Sequence, residues 1–298
     1  MAKKRKYALG ADITGAVFAG TGCGPATTPL TDPNTGGSAA PAGTTFASGP
    51  GKTLTNVHVQ LIFWGAWWNN NPLAAQVNNA VADLLAGPYM TYLAQYGVHR
   101  GNVRGITFAN DSEPGTFSFK SVGKFIIKLL DDDRLPEPDE DWPIVYAVIM
   151  PANSALSAPP GTISNVTGAN GSIIWNDYDI FDKDNDPAYF FWTGNDGTLD
   201  YITTVLSHEL VELATDPNGG DGVRKVGCFG LSCQIGDVCG GWCDFIRRVK
   251  AQAYWSQLDG TCVLPTMYSV RRTLAGKSIG GKIPRPNPSV NAWITSQF

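Results

Sequence analysis

One stretch near the middle of the 298-residue chain, residues 198–217, constrains the fold most, because it carries a complete helix signature around a group of ionisable side chains. Thr198 is a good N-cap, Asp200 suits the positive end of a helix, and Pro217 followed by glycines ends it. The sequence therefore predicts a helix from about 199 to 215. Its residues are mostly apolar, which is typical of a helix buried in a protein core.

His208, Glu209 and Glu212 lie in the middle of this predicted helix. His208 and Glu212 fall one turn apart on one face, with Glu209 beside them. A buried carboxylate is costly unless it is paired or bound to a metal, so the grouping predicts a metal site. The alternative is an exposed helix face on which these side chains meet water.

The spacing of these residues is His-Glu-x-x-Glu. In the related His-Glu-x-x-His pattern of zinc peptidases, the first and last residues bind zinc and the Glu between them is the general base. The spacing therefore predicts His208 and Glu212 as ligands and Glu209 as the base. A carboxylate at the second ligand position makes zinc less decisively favoured over manganese or calcium.

Charge and hydropathy exclude two classes of partner. A formal net charge of −4 and a charged fraction of 16% leave no basic face for phosphates, so nucleic-acid binding is not expected. No segment approaches about 20 consecutive apolar residues, so no membrane span is expected.

The low charge, with many Gly, Thr, Asn and aromatic residues, favours an extracellular or cell-surface location. Asp12, however, interrupts the N-terminal apolar run that a standard signal peptide needs.

Five of the six cysteines lie between residues 228 and 262, and Cys23 is remote. The two explanations are a disulfide-stapled loop and a thiolate metal site. The spacings lack the paired C-x-x-C units of a structural zinc site, which favours disulfides. The pairing cannot be read from the spacing, and the odd number leaves one cysteine either free or joined to Cys23. The five are Cys228, Cys233, Cys239, Cys243 and Cys262.

The order of predicted elements indicates an α+β protein, with strands first, then the central helix, then a loop-rich second half. Residues 1–54 are rich in Gly, Thr and Pro and predict an extended arm. Residues 55–265 form the predicted domain, in which 55–217 are an N-terminal lobe with the active helix and 218–265 a cysteine-rich lobe. Residues 266–298 are a C-terminal extension, and either this extension or the arm could mediate self-association.

Hydrophobic periodicity places the remaining elements. A second metal site is suggested by Asp182, Asp184 and Asp186, whose alternation invites a calcium interpretation. The segment lacks the Gly and the Glu that an EF-hand loop carries at its sixth and twelfth positions, so a plain turn is favoured. Strands are predicted near 56–65, 103–108, 143–150, 172–180 and 188–192, and helices from Pro72, over 89–96 and over 121–130.

Beyond the helix, the block Cys233-Gln-Ile-Gly-Asp-Val-Cys239 follows. Together with Ser-His-Glu-Leu-Val-Glu-Leu-Ala-Thr-Asp-Pro at 207–217, it resembles a family of zincin-like proteins that carry His-Glu-x-x-Glu and a downstream Glu-Ile-Gly-Asp-x-Cys block, and to which plant EXORDIUM (phosphate-induced) proteins are similar. The resemblance extends over most of residues 55–263. It implies a zincin-like fold, with a mixed sheet packed on helices and the His-Glu-x-x-Glu helix at its centre.

The resemblance also implies a third metal ligand about twenty residues after the helix. The family block begins with Glu, but this chain has Gln234 there. Either the amide oxygen of Gln234 or the carboxylate of Asp237 is then the third ligand, and an amide would weaken metal binding. Which of the two points inward depends on the conformation of a loop.

Two functions are compatible with these residues. The first is a metal-dependent hydrolase, a zincin-type metallopeptidase acting on a peptide or protein, in which zinc activates water and Glu209 moves the proton. Tyr254, Tyr178 and His99 are candidates for the donor that stabilises the oxyanion. The second is a non-catalytic extracellular binding or structural module that keeps the zincin-like fold.

Overall fold

The computed structural model describes residues 16–19, 44–139, 142–152, 154–156, 166–176, 185–228 and 233–265. Predictions that concern Cys23, Tyr178, Asp182 and Asp184, most of the N-terminal arm and the C-terminal extension fall outside these ranges. The helices are α1 (Pro72–Ala86), α2 (Pro88–Thr91), α3 (Phe119–Asp131) and α4 (Leu199–Thr215). The strands are β1 (Ala16–Ala19), β2 (Phe46–Ser48), β3 (His58–Trp64), β4 (Asn102–Ala109), β5 (Thr116–Phe117), β6 (Ile144–Ile149), β7 (Ala155–Leu156), β8 (Val166–Asn176), β9 (Asn185–Thr193), β10 (Val223–Lys225), β11 (Cys243–Ile246), β12 (Val249–Gln252), β13 (Tyr254–Ser256) and β14 (Thr261–Val263).

A six-stranded mixed sheet, in the order β1-β8-β9-β6-β3-β4, is the frame of the molecule. β4, β3, β6 and β9 run parallel, β8 is antiparallel to β9, and β1 is antiparallel to β8. The remaining described strands form four small two-stranded sheets, β2 with β10, β5 with β7, β11 with β12 and β13 with β14. The α+β class predicted from the sequence is confirmed, and the sheet is mixed as expected.

The helix starts follow from local capping. The Asn71 side chain accepts the Leu73 N–H at 3.0 Å, with Pro72 at the first position of α1. Ser118 and Ser121 cap α3 reciprocally. Thr198 caps α4 through the Tyr201 N–H at 3.3 Å, and α4 ends at Thr215, so both predicted ends of the central helix are confirmed.

Both faces of the sheet are covered, which explains why β3 and β6 are apolar throughout. Alternate residues of β3 point to opposite sides: Leu61 and Phe63 join the core formed with α1, α2 and α4, whereas Ile62 and Trp64 join the core formed with α3. α4 packs between the sheet strands β8 and β9 on one side and β12 on the other. Its residues 202–215 are all buried, as its composition predicted.

The segment after α4 is built from small antiparallel pairs, β11 with β12 and β13 with β14, and its apolar side chains share one core with α1 and α4. The fold also takes in β2, which the sequence assigned to the arm. β2 pairs with β10, and Phe46 stacks on Trp255 with ring centroids 5.8 Å apart. The sequence did not predict β2, because its single large apolar residue, Phe46, lies in a segment rich in Gly and Thr.

Two disulfides staple this segment, Cys228–Cys233 and Cys239–Cys262. Cys243 is disulfide-bonded as well. The cysteines of the cluster are thus used as disulfides, as predicted, and not as thiolate ligands. Among the described helices, none has the length and hydropathy that a membrane crossing requires.

Candidate metal centre

His208, Glu212 and Asp237 come together at one point in the interior. α4 supplies the first two, one turn apart, and the loop before β11 supplies the third. Each offers one ligand atom within 4.8 Å of the others. His208 Nε2 lies 3.2 Å from Glu212 Oε1 and 3.9 Å from Asp237 Oδ1. The structure therefore gathers one imidazole and two carboxylates from two separate parts of the sequence.

The loop that carries Asp237 is held from several sides. The Cys239–Cys262 disulfide ties it to β14, and the Trp255 N–H donates to the Ile235 carbonyl at 2.9 Å. Asp237 Oδ2 accepts the backbone N–H of Gln234 at 3.0 Å, which leaves Oδ1 toward His208. The Gln234 side chain instead directs its Nε2 to the Asp216 carbonyl at 3.5 Å. Of the two residues left open by the sequence, Asp237 is the one whose carboxylate faces His208.

Two glycines allow backbone to approach the carboxylates closely. A Cβ on Gly236 would lie 2.8 Å from Glu212 Oε1 and 2.9 Å from His208 Nδ1. A Cβ on Gly168, in β8, would lie 2.5 Å from Glu209 Oε1. The site is therefore enclosed by the loop on one side and by the sheet on the other.

Asn170, also in β8, joins the candidate base to a candidate ligand. Its Nδ2 donates to Glu209 Oε2 at 3.0 Å and to Glu212 Oε2 at 3.1 Å. Asn170 is fully buried. Sequence reasoning missed this residue, because a buried amide in a strand, 39 positions before Glu209, carries no local signal.

Gln252, in β12, is the second residue that the sequence did not reveal. Its Nε2 lies 2.6 Å from His208 Nδ1, the ring nitrogen that faces away from the carboxylates. Its backbone N–H donates to Ser207 Oγ at 2.9 Å, so the strand is held against α4 at this point. The Gln252 amide thus fixes the orientation of the His208 ring through the nitrogen that does not face the carboxylates.

Burial governs the ionisation of the group. Glu209 and His208 are 0% exposed, Glu212 is 1% exposed and the Asp237 side chain 10%. Burial raises the pKa of Glu212 and of Asp237 to about 8, and the charge of Glu212 contributes to the rise at Asp237. The pKa of Glu209 is raised well above its usual value by burial and by Glu212. Burial lowers the pKa of His208 to about 4.

The donor set fits a divalent cation. Glu209 Oε1 and Gln234 Oε1 are buried acceptors that receive no hydrogen bond from the described residues, and such atoms are costly unless something compensates them. Imidazole and carboxylate ligands suit zinc and also manganese or other metals of intermediate hardness. Burial favours the protonated form of these carboxyls, and a bound cation would take the place of the protons.

Tyr254 does not join this group. It is fully buried in β13, and its hydroxyl donates to the Tyr89 carbonyl at 2.8 Å. Tyr89 in turn donates to the carbonyls of Ser207 and Gln252. The placement gives Tyr254 a role in the core and does not support the oxyanion role predicted from the sequence. His99 lies in the loop before β4, where its backbone N–H donates to the Thr55 carbonyl.

Comparison of the chain with protein-family models, with curated proteins and with solved structures finds no match. The likeness to zincin-like proteins therefore rests on the sequence motifs.

Proposed function

We propose that the protein is a metal-dependent hydrolase on a zincin-like fold, with His208, Glu212 and Asp237 holding a divalent cation, zinc first of all. The observation that carries the proposal is the contact at Asn170, whose amide reaches both Glu212 at 3.1 Å and Glu209 at 3.0 Å. A carboxylate outside the ligand set but beside it is the arrangement that hydrolysis by an activated water requires.

Each residue then has a distinct task. A divalent cation bound there would supply Lewis acidity, which polarises a carbonyl group and lowers the pKa of a water molecule. Glu209 would take the proton of the attacking water and deliver it to the leaving group. Asn170 would keep the Glu209 carboxylate turned toward the ligands. Because two carboxylate ligands neutralise a cation more than one does, we expect slow hydrolysis of a peptide or protein substrate.

The fold supports this proposal at a coarser level. A mixed sheet whose antiparallel strand β8 runs beside α4 is compatible with a zincin-like arrangement. Disulfides persist in oxidising compartments, so the stapled loop fits a protein that works outside the cell or at its surface.

Burial favours a second candidate, a non-catalytic module that uses the cation only for its structure. Catalytic zinc sites keep an open position for water and substrate, whereas structural sites are closed. No side chain of the ligand group is more than 10% exposed. In this alternative the cation fastens the loop around Asp237 to α4, and Glu209 is a structural acceptor for Asn170.

Metal content and hydrolysis, measured on the same preparations, separate the two. We expect wild-type protein to carry stoichiometric metal by elemental analysis and Glu212→Ala to lose it. Glu209→Gln should keep the metal and lose hydrolysis of an unfolded protein substrate by roughly a hundred-fold or more. Glu137→Gln, an exposed carboxylate, is the matched control. Metal without hydrolysis would favour the structural cation. Folded protein without metal would refute both the hydrolase and the structural cation, and would favour a binding or structural module that needs no metal.

A further inference from the structure

Gln252 holds the ring nitrogen of His208 that lies away from the carboxylates. Its side-chain Nε2 is 2.6 Å from His208 Nδ1 and 3.1 Å from the Gly236 carbonyl oxygen. Its backbone is held on both sides of the Cα, because the N–H donates to Ser207 Oγ at 2.9 Å and the carbonyl oxygen accepts from the Tyr89 hydroxyl at 2.8 Å. The amide therefore has little freedom to withdraw from the imidazole.

The Gly236 carbonyl decides which way round this amide lies. A carbonyl oxygen only accepts hydrogen bonds, so the amide atom beside it has to be the nitrogen, since an oxygen at that distance would be repelled. The carbonyl is held in place by the Cys239 N–H, which donates to it at 3.0 Å. One hydrogen of the Gln252 amide thus points to Gly236, and the other points to His208 Nδ1.

A neutral imidazole that accepts at Nδ1 carries its hydrogen on Nε2. His208 Nε2 is the nitrogen that faces Glu212 Oε1 at 3.2 Å, and it is the one that a metal needs without its hydrogen. Histidines that bind metals normally donate their other N–H to an acceptor, which fixes the right tautomer. In this protein an amide donor stands where that acceptor is needed.

The geometry points to Gln252 as a positioning residue that holds His208 in the tautomer unable to bind metal and so weakens metal binding at this site. The inference rests on the ligand role proposed for His208. For a cation to bind, the imidazole hydrogen of His208 has to move from Nε2 to Nδ1, and the Gln252 amide has to turn so that its oxygen accepts that hydrogen. The turned amide would place a hydrogen-bond donor away from the Gly236 carbonyl and an oxygen against it, which is unfavourable. The site is thereby set to bind its cation reversibly, with an affinity below what its ligands alone would give.

The tautomer can be read without any metal. The chain has three histidines, so long-range nitrogen–proton correlation spectra of the full-length, chelator-treated protein contain three imidazole patterns. His58→Gln and His99→Gln identify the signals of His208 by elimination. A neutral ring with hydrogen on Nε2 is the expected result. Hydrogen on Nδ1 in the metal-free wild-type protein would overturn the inference, whatever the protein hydrolyses.

Gln252→Glu tests the consequence for affinity, because it replaces the donor by an acceptor of the same size. We expect zinc to bind roughly ten-fold tighter than to wild type, by competition with a zinc indicator, and the His208 hydrogen to move to Nδ1. Gln76→Glu, an exposed position on α1, controls for net charge only. The move of the His208 hydrogen to Nδ1 is the result that separates a change of tautomer from simple attraction by the added carboxylate.

Two results contradict the inference: Gln252→Glu protein that is folded yet binds zinc no tighter than wild type, and the Nδ1 tautomer in the wild-type spectrum. If Gln252 has only a structural role, Gln252→Glu should bind zinc more weakly than wild type, and that result contradicts the inference as well. If Gln252→Glu does not fold, the wild-type spectrum decides alone. If no variant binds zinc, the proposed function fails, and the spectrum still reports the tautomer separately.

Discussion

At the scale of the residue, the absence of a side chain at Gly236 matters as much as the ligands themselves. Its backbone angles, φ −74° and ψ −41°, suit any residue, so the glycine is needed for space alone. His208 and Glu212 fill the volume that a Cβ would take. A loop with any larger residue there could not close on the imidazole and the carboxylate together.

Gly236→Ala should therefore weaken metal binding with little change in backbone preference. The added methyl group would lie 2.8 Å from Glu212 Oε1 and 2.9 Å from His208 Nδ1, so both side chains must shift. We expect zinc affinity to fall by about ten- to a hundred-fold in indicator competition. Gly220→Ala is the control, because its Cβ would meet only Arg224 Nη1 at 3.5 Å. Unchanged affinity in Gly236→Ala would mean that the metal does not use these two side chains.

At the scale of the element, Asp216 ends α4 and shapes the turn that follows. Its Oδ1 accepts the N–H groups of Gly220 at 3.0 Å, Asp221 at 3.1 Å and Gly222 at 2.7 Å. The Asp216 side chain and Gly222 are both buried, so the Gly222 N–H depends on this carboxylate for its acceptor. The turn leads into β10, which pairs with β2, so one carboxylate fixes both the end of the helix and the path of the chain beyond it.

Asp216→Ala should destabilise the protein by about 1–3 kcal/mol, because it leaves the buried N–H of Gly222 without an acceptor. Asp216→Asn keeps one oxygen in place and should lose less. The free energy of unfolding of both variants can be measured by urea titration, with tryptophan fluorescence as the signal. A loss below about 0.5 kcal/mol in Asp216→Ala, the range of ordinary surface substitutions, would show that water replaces the carboxylate.

The two stapled loops should differ in their contribution to stability. Cys239–Cys262 spans 23 residues and Cys228–Cys233 spans 5. Loop entropy predicts a loss of about 3 kcal/mol for the double Cys→Ala variant of the first pair and about 2 kcal/mol for the second. Only the first variant frees the loop of Asp237, so only it should also weaken zinc binding. Equal loss of affinity in both variants would contradict this assignment.

Local signals made α4 predictable, and long-range contacts made the rest of the site unpredictable. Thr198 and Pro217 mark the helix ends within a few residues of sequence, and the structure has a helix over the predicted range. β8 begins at Val166, six residues before the predicted start. The prediction missed these residues because a glycine such as Gly168 is typical of a turn, whereas here it lets the strand approach Glu209 closely. No pattern in the sequence indicates that Asn170 lies beside that carboxylate.

The choice between Gln234 and Asp237 shows the same limit. The two residues are three positions apart on one loop, and their side chains point in different directions because the Gln234 N–H binds Asp237 Oδ2. Gln252 is 44 residues from His208. Its place depends on the register of the β11–β12 hairpin against α4, which is a property of tertiary packing.

At the scale of the whole molecule, the fold places several acids in a core that excludes water. α4 lies between the sheet and the β11–β12 hairpin, so the polar group shares its surroundings with the largest apolar cluster. Folding without a cation then requires the carboxyls to take up protons, because charged groups are poorly stabilised there. The stability of the metal-free protein should consequently depend on pH in the sense opposite to that of surface carboxylates.

The sign follows from linkage. The pKa of Glu212 rises from 4.5 to about 8 on folding and that of Asp237 from 3.8 to about 8, so between these values the folded protein holds protons that the unfolded chain releases. Stability is then lost as the pH rises through this window. The pKa of His208 falls from 6.5 to about 4, which lowers stability only as the pH drops below 6.5. Between pH 6.5 and 8 the carboxyls alone decide.

We therefore expect the free energy of unfolding of chelator-treated protein, from urea titrations, to fall by more than about 1 kcal/mol between pH 6.5 and 8. Saturating zinc should remove this dependence, because the cation replaces the protons and binds better once they have left. Glu212→Gln, which resembles the protonated side chain, should flatten the metal-free curve. Metal-free protein that is as stable at pH 8 as at pH 6.5 would mean that these carboxyls stay ionised in the core, and the need for a cation to hold them together would disappear.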